Sequence, residues 1–115
     1  MEPSFSLEYY DRIFGVRGDE FWELVQALRD ELESYIDELA AAANARDLQA
    51  LSQLRHMHRP ITMNLHLDDL RALETATADA VRTKMTSEHL RALVQDFELH
   101  ARAVIQGLGD LIPGP

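Results

Sequence analysis

The sequence predicts an all-α protein: an antiparallel up-down four-helix bundle preceded by a short extra N-terminal helix. Three observations carry that expectation. Apolar residues recur every three or four positions along most of the 115 residues, the period of amphipathic helices. Five Gly and four Pro are too few for a turn-rich β protein. The breaks between the periodic segments are brief, and brief connections make consecutive helices antiparallel neighbours.

Taken in order, a short segment from Phe5 to Phe14 is closed by Gly15 and Gly18. The second segment carries Phe21, Leu24, Val25, Leu28, Leu32, Tyr35, Ile36 and Leu39, and breaks between Asn44 and Asp47. The third carries Leu48, Leu51, Leu54, Ile61 and Leu65, and breaks near Asn64 to His66. Leu70, Leu73, Thr77 and Val81 mark the fourth. Thr86–Ser87 opens the fifth, which carries Leu90, Leu93, Val94, Phe97, Ala101, Val104, Ile105 and Leu108. Gly107, Gly109 and the tail Pro113-Gly114-Pro115 are expected to end it. Asp19, Asp47 and Ser87 are the expected caps, accepting hydrogen bonds from orphan amides. Asp68 and Asp69 suit the positive end of the fourth helix. Tyr9, Tyr10, Trp22 and Phe97 are expected in the core.

The length supports one domain, residues 1–115, with a core that needs no disulfide or structural metal. The absence of Cys excludes thiol catalysis and Cys-based metal sites. The net charge of −9 argues against nucleic acid, whose binding is dominated by phosphate neutralisation. It also argues against an anionic membrane surface. No apolar run reaches the length of a span or a signal peptide. The expectation is a cytoplasmic monomer with a protein partner.

One constellation stands out: His56-Met57-His58-Arg59-Pro60. At about 100° per residue, His58 joins the core stripe of Leu51, Leu54, Ile61 and Leu65. A buried imidazole there needs a hydrogen-bond partner. His56 lies about 200° away from His58, on an outward face with Ser52, Arg59, Pro60 and Met63. The two histidines are too close in sequence to chelate one metal from a regular helix. Free imidazole is largely unprotonated at neutral pH, given its reference pKa of about 6.5, and so is a nucleophile. A guanidinium one turn on can pair with a phosphoryl group carried by the ring.

On these residues the chain resembles the histidine-containing phosphotransfer (HPt) domains of bacterial two-component phosphorelays. The family pattern is His-x-x-Lys-Gly, then Gly ten residues after the His, then a hydrophobic helix start. Here the register is His56, Arg59, Pro60, His66, followed by Leu67 and Leu70. Phe5 to Phe14 resembles the family's short first helix, and Arg46 to Leu51 its lead into the histidine helix. The resemblance spans roughly residues 5 to 110. It implies His56 as phosphoryl acceptor and Arg59 in the place of the supporting Lys. It further implies a docking face of Ser52, Pro60 and Met63 with Arg71 and Glu74 from the fourth helix. The implied partners are a response-regulator receiver domain and a hybrid histidine kinase. The implied activity is that of a phosphocarrier, not an enzyme, with no cofactor of its own and Mg²⁺ only on the receiver.

The chain departs from the pattern at several positions. Arg59 differs from Lys in shape and hydration. Pro60 in place of Gly removes an N–H and crowds the His56 carbonyl, so the helix is expected to bend there without ending. His66 replaces the second Gly, at a distance from His56 that the bend leaves open. Ala78 stands where some members carry an acid, and Arg55 where Ala usually precedes the His. These departures motivate an alternative, a transfer-inactive HPt-like module that holds a receiver or other partner as scaffold or inhibitor.

The remaining polar residues read more plainly. The acidic residues of the second segment, Asp19, Glu20, Glu23, Asp30, Glu31, Glu33, Asp37 and Glu38, are expected to form a solvated face. His89 and His100 read as ordinary helix residues. The sequence has no Glu-x-x-His, no Gly-rich phosphate loop and no His-Glu-x-x-His, which argues against a di-metal bundle enzyme using His58, His66 and carboxylates.

Overall fold

The computed structural model describes residues 4–114. Met1 to Pro3 of the leading segment, and Pro115 of the Pro-Gly-Pro tail, lie outside the described residues. Five helices follow one another: α1 (Glu8–Phe14), α2 (Asp19–Asn44), α3 (Leu48–Asn64), α4 (Asp68–Arg82) and α5 (Ser87–Leu111). No strand occurs among the described residues. Helices α2 to α5 pack in a ring, each against its chain neighbours, with α2 closing on α5. None of the helices is long and apolar enough to cross a membrane.

The apolar stripes read from the sequence meet in one core. Phe21, Val25, Leu32, Tyr35 and Leu39 of α2 are buried with Leu51 and Ile61 of α3, Leu70 of α4, and Phe97, Ala101, Val104 and Leu108 of α5. Helix α1 lies across one end. Leu7 and Tyr10 are buried there, Phe14 meets Phe21 edge to face at 5.7 Å, and Ser6 N–H donates to the Leu65 carbonyl at 2.9 Å. Tyr9, expected inside, is exposed, and Trp22 is only partly covered. Both rings sit at the rim, each edge to face with a buried aromatic neighbour.

Three turns between the long helices share one closure. In each, the second residue past the helix has left-handed backbone: Arg46 (φ 52°), His66 (φ 54°) and Lys84 (φ 56°). The paired bonds of a Schellman motif accompany it each time. Asp47 N–H reaches the Ala42 carbonyl, Leu67 N–H the Thr62 carbonyl and Met85 N–H the Ala80 carbonyl, at 2.9–3.0 Å. The inner bonds run from Arg46, His66 and Lys84 N–H to Ala43, Met63 and Val81. These bonds satisfy orphan carbonyls at the helix ends, and Gly is the residue that adopts this backbone without a Cβ penalty. None of the three turns uses one.

The caps differ from expectation at two positions. Asp47 caps α3 by accepting from Ala50 N–H at 3.0 Å. At α5 the cap is Thr86, one residue earlier than Ser87, accepting from His89 N–H at 3.1 Å. Asp19 is the first residue of α2, after Gly18, and makes no cap bond. Its charge still favours the helix N-terminus. Gly107 and Gly109 lie inside α5, which runs on to Leu111. Gly109 is where α2 and α5 approach: a Cβ there would meet Arg29 Nη2 at 2.7 Å. Arg29 Nε donates to the Ile105 carbonyl at 2.9 Å across the same contact.

Helix α3 continues through Pro60. The ring removes the N–H that the His56 carbonyl needs as its partner one turn on. Replacing exposed Pro60 by Ala restores that bond and is expected to stabilise the fold by about 1–2 kcal/mol, part of the gain being offset by a freer unfolded chain. Urea unfolding of the variant measures it.

Candidate functional site: an arginine-lined pocket around His56

Five side chains of α3, Ser52, Arg55, His56, Arg59 and Thr62, recur at helical spacing and face one side. Arg71 and Glu74, one turn apart on α4, face them across the α3–α4 contact. Together these seven line an open pocket of about 380 Å³. His56 is exposed, as are Ser52, Arg59, Pro60, Met63 and Arg71. Each stands where the helical turn from the core stripe places it.

The pocket is electrostatically unusual for this chain. Arg55, Arg59 and Arg71 make no ion pair and donate no hydrogen bond within the described residues, whereas Arg12, Arg17, Arg82 and Arg102 are each matched to a carboxylate. Three unmatched guanidiniums therefore converge on one surface of a protein of net charge −9. Clustered fixed cations of this kind attract multivalent oxyanions, to which guanidinium offers paired N–H donors.

Glu74 is the correction to the expected docking face. It borders the pocket, but it is only 6% exposed. Its Oε2 accepts a hydrogen bond from the Tyr35 hydroxyl of α2, which is fully buried. Burial pushes the Glu74 carboxyl above the ordinary carboxylate range, against the lowering influence of the Tyr35 bond, Arg55, Arg71 and His58. Burial and the neighbouring carboxylate raise the Tyr35 phenol, so it is the donor of the pair.

Behind Tyr35 lies His58, buried as expected and stacked on the Tyr35 ring at 4.1 Å with the planes 26° apart. Its partners are the carboxylates of Glu31, 2.9 Å from Nδ1, and Glu38, 3.3 Å from Nε2. These two members of the acidic α2 face are therefore half-buried clamps, not solvated charges. Phe97 of α5 closes the other side of Tyr35, edge to face at 5.0 Å. A polar chain thus crosses the bundle from Glu31 and Glu38, through His58 and Tyr35, to Glu74 at the pocket floor.

His66 does not line the pocket. Ten residues along a helix is about 15 Å, and its left-handed backbone places it in the α3–α4 turn. Among the described residues, no group of three or more His, Asp or Glu is placed to hold a metal ion. Arg55 and Thr62 line the pocket but were not among the expected site residues; each lies about 100–120° from His56 around α3. The roles of Tyr35 and Glu74 were not legible in the sequence, because they belong to other helices. No family model, curated protein or solved structure matches the chain.

The raised Glu74 carboxyl has a consequence for stability. Its folded pKa lies above its unfolded one, so ionisation opposes folding. The penalty is absent below the unfolded value of about 4 and complete above the folded value. Glu74→Gln keeps an acceptor for Tyr35 and removes the charge. Its stability relative to wild type is therefore expected to rise from pH 4 to pH 8, read from urea unfolding at both pH values.

Proposed function

We propose that the chain is a phosphorelay intermediate of the HPt type, accepting and donating a phosphoryl group at His56. The observation that supports this best is an exposed imidazole midway along helix α3, set among three unmatched guanidiniums. The other support is the residue pattern. His66, which stands where the family carries its second Gly, has the left-handed backbone (φ 54°) that such a Gly readily adopts. Arg59 stands one turn after His56, in the place of the supporting Lys.

In the proposed step, the lone pair of His56 Nε2 attacks the phosphorus of a receiver's aspartyl phosphate. The N–P bond forms as the P–O bond to the aspartate breaks, and the electron pair leaves with the carboxylate. The Nδ1 proton then passes to solvent. The reverse sequence returns the group to a receiver. The guanidiniums neutralise the phosphoryl oxygens, as cations do in phosphoryl transfer generally. The receiver supplies the acidic pocket and Mg²⁺. The docking face is the exposed rim of Ser52, Arg59, Pro60, Met63 and Arg71. The chain acts as a carrier, not a kinase.

Incubation with a phosphorylated receiver is expected to give an acid-labile, base-stable label on the wild-type protein and none on His56→Gln. A label unchanged in that variant overturns the assignment. Receiver binding without any label, retained in His56→Ala, establishes the transfer-inactive module in its place.

A further inference from the structure

The arginines explain attraction for an oxyanion, but not why a buried carboxyl forms part of the same pocket. A carboxylate beside a bound anion is repulsive unless a proton lies between them. Glu74 uses Oε2 for the Tyr35 bond, which is its side chain's one hydrogen bond within the described residues. No buried side-chain nitrogen or oxygen among those residues lacks a partner, so the unpartnered Oε1 is not sealed from solvent, and Glu74 lines the pocket. Tyr35, itself fixed between His58 and Phe97, holds the carboxyl from behind. The pocket thus offers three cationic donors and one anchored acceptor.

We propose that the His56 pocket selects tetrahedral oxyanions that carry a proton. Arg55, Arg59 and Arg71 take up the negative charge, and Glu74 Oε1 accepts the hydrogen bond from the anion's own O–H. Hydrogen phosphate meets that requirement. Sulfate has the same shape and charge but no proton, and it leaves two anionic oxygens facing each other. Glu74 is in this sense the specificity-determining residue of the site, distinct from the arginines that supply affinity. The inference deepens the reading of the pocket as a phosphoryl site and rests on it.

The experiment compares inorganic phosphate with inorganic sulfate at pH 8, where both are dianions, by calorimetric titration of the whole chain. Wild-type protein is expected to bind phosphate about tenfold more tightly than sulfate, the difference made by one charge-assisted hydrogen bond. In Glu74→Gln the two affinities are expected to fall within about twofold of each other, because an amide can donate to sulfate or accept from phosphate. Arg55→Gln serves as the second variant: it is expected to weaken both anions alike and keep the preference. Equal affinities in the wild type, a preference that survives Glu74→Gln, or binding of neither anion overturns the inference. If His56 takes no label while the preference stands, the relay reading alone fails. If the label forms while the two anions bind equally, the selectivity inference alone fails.

Discussion

The buried hydrogen bond between Tyr35 and Glu74 is the constraint around which this bundle is arranged. A carboxyl on the inner side of α4 is costly unless something satisfies it there. The Tyr35 hydroxyl does so from α2, across the core. That hydroxyl reaches Glu74 only because its ring is held flat against His58 and edge-on to Phe97. His58 in turn is held by Glu31 and Glu38. Three helices therefore contribute to one satisfied polar chain, and Phe97 of α5 packs against it. Partial satisfaction would be worse than an apolar core of the same shape, which explains why every member has a partner.

That chain also decides what the pocket surface looks like. Glu74 Oε2 is committed to Tyr35, and the carboxyl makes no close ion pair with the arginines around it among the described residues. Arg55, Arg59 and Arg71 stay unmatched, although acidic residues outnumber basic ones by 20 to 11. Elsewhere the same chemistry resolves into ordinary surface pairs, such as Arg102 with Glu33 and Glu98. Exposed pairs of that kind contribute little to stability. The distinction between matched and unmatched guanidiniums therefore bears on ligands more than on folding.

The backbone is economical in its connections. Three- and four-residue links close with the same paired bonds, each with a side chain at a position that suits Gly. Left-handed backbone costs an L residue about 1–2 kcal/mol. The turns persist because helices α2 to α5 are already committed to the shared core. Pro60 shows the same dominance of tertiary packing over local preference. It stands inside α3 with Ile61 and Thr62 buried immediately after it, so packing carries the helix past a residue that would disrupt an isolated one.

Much of the architecture was legible in the sequence. The apolar periodicity carried the helix order, the core stripes and the opposite placements of His56 and His58, because a single helix has one repeat and one inward face. Asp47 was readable as a cap because its bond to Ala50 is local. The α5 cap lies one residue early, at Thr86, because the adjacent hydroxyls of Thr86 and Ser87 can serve the same amides; Asp19 lies inside α2, after Gly18, and caps nothing. Tertiary structure alone decided which residues of different helices meet. It turned Glu74 inward, although its helix position next to Arg71 suggested the docking face. It made Glu31 and Glu38 clamps for His58, and it left His66, already readable as part of a break, outside the pocket. Those outcomes depend on how α2, α3 and α4 cross. That relative placement is a property of the packed core and has no local signal in the chain.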